Sequence, residues 1–299
     1  MNIFSLQKVK IKHDNKIFAQ TVKKYKNTIS SFLFGAIIVI TFTGCNASQV
    51  LHTQTSAIGK ESDNVVIALL DTGVSKTAIQ SEHLLEGYNY VTNSTDTEDL
   101  INHGTAVASI ILGCESADVI GRAQDAYVVP LVVVTKQENE TVSVSAEILA
   151  KAIYDSIDIY AADIINISLG IQKDESALLE AVKYAQKQGV LVVSAVGNDG
   201  ENGKPYYPAS YDMVLAVGSC DKYGEKSDFS QNNFDVLAPG EDIWLASRNG
   251  KTYGARGTSY ATGFVAAFAA DLLQKEPTLS LQKLWEEIVT NIQIGEMVQ

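Results

Sequence analysis

The run Val128-Val129-Pro130-Leu131-Val132-Val133-Val134 sets the architecture of this chain. It is apolar without interruption and rich in β-branched residues, so a strand built from it has to be covered on both faces. Strands of that kind belong to parallel sheets whose crossovers are helices. The run extends over Tyr127–Val134, and similar short runs recur at Val65–Leu70, Asp163–Ser168, Val190–Ala195 and Val214–Gly218. Between and after them the apolar spacing turns helical, at His103–Leu112, Val144–Tyr160, Ser176–Gln188, Ser259–Leu273 and Ser280–Ile292. The third helix puts Leu178, Leu179, Val182 and Ala185 on one face and Gly189 where a C-terminal cap belongs. Alternating strands and helices predict an α/β domain of three layers, a mostly parallel central sheet with helices on both faces. With 299 residues, 46% of them apolar, and no internal repeat, one domain over residues 64–299 is expected.

The chain opens differently. Seven lysines lie before Ser31 against a single acid, Asp14, and the apolar stretch Phe32–Phe42 follows. A basic leader ahead of an apolar segment shorter than the ~20 residues of a membrane span reads as an export signal. Residues 46–62 are polar and lack periodicity, which suits a tether. Of the 23 basic and 35 acidic residues, those seven and that one lie in the leader, leaving 16 against 34 and a net charge of −18 from Cys45 onward. So acidic a chain is no partner for nucleic acid and draws basic peptides. Beyond Cys45 only Cys114 and Cys220 remain, in no CxxC metal pattern, and a disulfide is left open.

Three glycine-framed stretches carry the chemistry. LLDTGV holds Asp71, NHGTAVAS holds His103, and RGTSYATGFVAAFAA holds Ser259. A serine hydroxyl is a weak nucleophile near neutral pH unless an imidazole takes its proton, and a carboxylate must then orient and stabilise that imidazole. An aspartic peptidase would need two such carboxylates sharing one site, and the sequence has one DTG. A hydrolase with a G-x-S-x-G elbow would place histidine after serine, yet no histidine follows His103.

In this order the motifs resemble the subtilisin-like serine peptidases, from about Asn64 to about Thr290. NISLG (Asn166–Gly170) is similar to the family's strand that pairs with substrate backbone and walls the primary specificity pocket. SAVGNDG (Ser194–Gly200) is similar to the segment whose asparagine completes the oxyanion hole, and FSQNNFDVLAPG (Phe229–Gly240) to the run ahead of the serine loop. The resemblance implies a three-layer subtilisin-like fold and a serine endopeptidase. In it Ser259 is the nucleophile, His103 the general base and then acid, Asp71 its orienting partner, and Asn198 the oxyanion donor. Ser168, Leu169, Gly170, Ala195, Gly197 and Asp199 would line the substrate site. Thr43-Gly44-Cys45 resembles a lipobox, which implies residues 1–44 as a lipoprotein signal, lipid on Cys45, a tether over 45–63 and a monomer on the outer face of the cell membrane. An uncleaved signal anchor or plain secretion are the alternatives.

The chain departs from the family at several points. Tyr260 follows the serine and no proline stiffens the turn, so a narrowed leaving-group side is expected. No cofactor is expected to be required. The loop Cys114–Arg122, where relatives bind structural calcium, is short, Gln80 stands at the position of an acidic ligand, and Glu115 and Asp118 are the donors left. Residues 45–63 are too few for the inhibitory prodomain of secreted relatives, which suggests a dedicated processing peptidase. Asp199 at the pocket rim suggests cleavage after Arg or Lys, as in a leader peptide, and Tyr206 is placed at the pocket floor. The rival reading is a catalytically idle lipoprotein that binds peptides or a partner protein in the same groove.

Overall fold

The computed structural model describes residues 64–136 and 142–292. The expected leader 1–44, Cys45 and the tether lie outside the described residues, as do 293–299. Along the chain come β1 (Val66–Asp71), β2 (Tyr88–Asn89), α1 (His103–Leu112), β3 (Gly113–Cys114), β4 (Val119–Ile120), β5 (Tyr127–Val132), β6 (Thr135–Lys136), β7 (Val142–Ser143) and α2 (Ala146–Asp158). They are followed by β8 (Ile164–Ile167), α3 (Ser176–Gln188), β9 (Leu191–Ala195), β10 (Leu215–Cys220), β11 (Val236–Pro239), β12 (Ile243–Ala246), β13 (Thr252–Ala255), α4 (Thr258–Lys275) and α5 (Leu281–Asn291). Seven strands form one sheet in the order β11-β10-β9-β8-β1-β5-β2, and every neighbouring pair is parallel.

Alternation along the buried strands builds the two other layers. Ile67 and Leu69 of β1 face a core shared with Val107 and Ile111 of α1, Val265 and Ala266 of α4, and Leu284 and Ile288 of α5. Val66, Ala68 and Leu70 face the opposite core, with Leu149 and Ile153 of α2 and Leu178 and Val182 of α3. Each buried Val, Leu or Ile among them contributes roughly 1.5–3 kcal/mol by leaving water.

Pro130 sits inside β5 without breaking it. Val128 N–H donates to the His83 carbonyl on the β2 side, so two residues on the missing donor of Pro130 faces that same side, where β2 has only two residues.

The predicted strands and helices are all present, with ends moved by a few residues. α2 begins two residues late because Ser145 caps it, its Oγ accepting from Ile148 N–H at 3.2 Å. Gly189 ends α3 at φ +79° as expected. Cys114 and Cys220 are both buried free thiols, and burial pushes Cys220 up to about 12.

The sheet grows to one side of β1 through β5 and to the other through β8. The carboxyl end of β1 is therefore the point where the winding reverses, where α/β sheets open a crevice. Asp71 is the last residue of β1.

Candidate active site

Asp71 is fully buried, and its Oδ1 accepts the N–H of Thr72 at 2.7 Å. His103 opens α1, with Nδ1 2.8 Å from Asp71 Oδ1 and 3.0 Å from Oδ2. An ionised carboxylate only accepts, so Nδ1 carries the hydrogen and Nε2 is left as the basic nitrogen. Burial works against the imidazolium, but the charge of Asp71, its hydrogen bond and the field of Asp99 outweigh it. His103 therefore titrates above its ordinary 6.5. The approach of α1 to β1 requires Gly104, since a Cβ there would overlap the Gly73 carbonyl and reach within 3.2 Å of Asp71 Cβ.

Asp99 supports this pair and was not singled out from the sequence. Its buried carboxylate accepts from Thr72 Oγ1 (2.9 Å), Ile101 N–H (2.9 Å) and Asn102 N–H (2.8 Å) at Oδ1. Oδ2 accepts from Thr105 N–H (2.9 Å) and Thr105 Oγ1 (2.7 Å). Thr72 Oγ1 in turn accepts from Gly104 N–H at 2.8 Å. These bonds take up the open N–H groups of Gly104 and Thr105 in the first turn of α1 and place a negative charge at its positive end. The signal that could have found it is an aspartate four residues before the first residue of a helix.

Ser259 lies in the first turn of α4 and is 8% exposed. Its Oγ donates to the Ser168 carbonyl at 2.9 Å, while Ser168 Oγ donates to the Ser259 carbonyl at 2.9 Å and accepts from Asn166 Nδ2 at 3.0 Å. Among the described residues no hydrogen bond joins Ser259 to His103, and the Ser259 hydroxyl rests on Ser168, just past the end of β8. Asn198 Oδ1 accepts from Thr258 N–H at 2.9 Å and Thr258 Oγ1 at 3.0 Å. That pattern fixes the amide orientation and leaves Nδ2 as the free donor.

Tyr260 is buried, its ring centroid 5.7 Å from that of His103. The ring is thus packed against the histidine at a tilt of 33°. The start of α4 is held without proline, by Asn198 and by Gly257 N–H on the Gly240 carbonyl at 2.8 Å.

Ser168, Leu169 and Gly170 leave the end of β8, and Ala195 ends β9 ahead of Gly197, Asn198 and Asp199. Because β8 and β9 pair in parallel, Ile167 beside Ser194, the two groups emerge side by side. Glu115 and Asp118 lie at the turn between β3 and β4, and Gln80 Nε2 is occupied by the Thr77 carbonyl. Among the described residues no three acidic, histidine or cysteine side chains gather as metal ligands.

A carboxylate-imidazole pair at the winding reversal of a parallel sheet, with a serine in the first turn of a helix, is an arrangement suited to a serine hydrolase. The chain belongs to the subtilase family, peptidase family S8, which matches residues 62–297. It is similar to a thermophilic serine proteinase of Bacillus sp. (strain AK1), 35% identical over 223 residues, 71% of this chain. It spans about half of that relative, 53% of its length. It is also similar to subtilisin DY of Bacillus licheniformis, 30% identical over 76% of this chain and 83% of that protein. Among solved structures, the prenylagaramide maturation protease PagA superposes with a TM-score of 0.64 at 30% identity, covering 76% of this chain and 81% of that one. A cold adapted subtilisin-like serine proteinase gives 0.67 at 28% identity, covering 76% and 82%.

Proposed function

We propose that this protein is a membrane-tethered serine endopeptidase dedicated to processing peptide precursors. The observation that carries the chemistry is the buried contact of Asp71 with His103 Nδ1 at 2.8 Å, which turns the free Nε2 toward general-base work. Ser259 Oγ attacks the scissile carbonyl as Nε2 takes its proton. The same nitrogen then protonates the leaving amine, and water repeats the cycle on the acyl-enzyme. Asn198 Nδ2 and the Ser259 N–H stabilise the oxyanion, aided by the positive end of α4. In the resting arrangement Ser259 must first leave the Ser168 carbonyl. A substrate strand laid along Ser168–Gly170 competes for that carbonyl and releases the hydroxyl to His103.

Precursor processing is supported by the likeness to a maturation protease and by the acidic chain, which attracts basic peptides. Tethering is supported by the leader and by Thr43-Gly44-Cys45. The test is labelling of the full chain with a fluorophosphonate, with mass-spectrometric mapping of the modified residue. Labelling at Ser259 that vanishes in Ser259→Ala is expected. A folded sample that stays unlabelled would instead favour the idle peptide-binding reading, in which Ser259 never leaves Ser168.

A further inference from the structure

We infer that Tyr206 fills the primary specificity pocket and confines cleavage to bonds that follow a small residue: glycine, alanine or serine. The inference rests on the endopeptidase reading above and names its substrate class. The pocket walls are the chain leaving β8 and the chain leaving β9, and each turns a glycine toward the gap. A Cβ built on Gly170 would lie 3.2 Å from Tyr206 Cβ and 3.5 Å from Cδ1. One built on Gly197 would lie 2.7 Å from Tyr206 Cδ2 and 3.0 Å from Cε2. Cδ1 and Cδ2 are opposite edges of the ring, so the phenol bridges the gap from wall to wall. Gly197 has φ +108°, and the ring is close enough that any larger residue would collide with it.

The ring is held at both ends. On the backbone side, Ile171 and Tyr207 exchange hydrogen bonds of 2.9 and 2.8 Å, and the Tyr206 carbonyl accepts from Ser210 N–H at 3.0 Å and Ser210 Oγ at 2.9 Å. At the far end, the Tyr206 hydroxyl accepts from Gln172 Nε2 at 3.2 Å and lies in the field of the Asp199 carboxylate. Asp199 Oδ2 accepts from Gln231 Nε2 at 3.3 Å. The carboxylate that the sequence offers to an arginine or lysine is therefore held by Gln231 beside the Tyr206 ring. A long side chain would have to displace the ring and break its hydroxyl bond, whereas a methyl or hydroxymethyl group needs only the rim.

The experiment is a peptide-library cleavage profile of the full-length protein, its Tyr206→Ala and Tyr206→Gly variants, and Tyr206→Phe, each first titrated with the fluorophosphonate. Peptide boronates ending in Ala or Phe, competing with that probe for Ser259, read the same pocket without turnover. The natural protein is expected to cut after Gly, Ala or Ser. Opening the pocket should raise the kcat/KM ratio of Phe over Ala by about 10–100-fold, the scale on which apolar pockets discriminate. Tyr206→Phe, which keeps the ring, should keep the small-residue preference. A natural protein that labels yet prefers large or basic residues overturns the inference, as does a Phe-to-Ala ratio unmoved in both opened variants that label. Absence of labelling in folded natural protein overturns the endopeptidase reading first, and the pocket assignment with it.

Discussion

A single amide and a single imidazole carry the proposed chemistry. Asn198→Ala should lower kcat by about 10²–10³, the general cost of one lost oxyanion donor and a figure itself measured on a subtilisin. Attack requires neutral His103, whose pKa is raised above 6.5, so the acidic limb of the kcat/KM profile should lie above that value. Asp99 is among the groups that raise it, and Asp99→Asn should move the limb to lower pH; a limb that stays put would separate Asp99 from the histidine's charge balance. The sign for stability follows from the same shift. Protonated His103 is favoured in the fold, so its contribution is complete below about 6.5 and is lost as pH rises through the folded value.

Strands and helices here differ in how openly their sequences declare them. β1 and β5 were legible because burial on both faces leaves unbroken apolar runs, and α3 because its apolar face and Gly189 agree. β11, β12 and β13 were not read as strands: each has four residues, with exposed Trp244 in the middle of one. Asp71, His103 and Ser259 stood out by their glycine frames, and the fold brings the first two into contact. Asp99 was not, because an acid in the polar stretch TEDLIN looks like solvated loop until the fold buries it among five donors. That burial predicts the size of its loss. Asp99→Ala leaves several buried donors unpaired at about 1–3 kcal/mol each, so a destabilisation of ~3–5 kcal/mol is expected, checked by denaturant titration. Tyr206 shows the reverse difficulty. Its position near the pocket was readable, but that its ring touches both walls depends on Gly170 and Gly197 being brought opposite each other by the pairing of β8 with β9.

Across the whole sequence, a lysine-rich N-terminal stretch precedes an acidic remainder that begins at Cys45. If Cys45 carries lipid, Cys45→Ser should move the protein from the membrane fraction to the soluble one without changing fluorophosphonate labelling. Retention in the membrane fraction would point to an uncleaved anchor instead. Asn198 has a wider use. Its oxygen closes the start of α4, and in the proposed mechanism its nitrogen serves the oxyanion, so folding and turnover would draw on opposite ends of one side chain. Asn198→Asp keeps the acceptor, adds a charge that suits a helix start, and replaces the donor with an anion facing the oxyanion. Such a variant should stand folded with its groove intact and release almost no product. Displayed on living cells, it becomes bait that holds its own precursor long enough to be pulled out and sequenced.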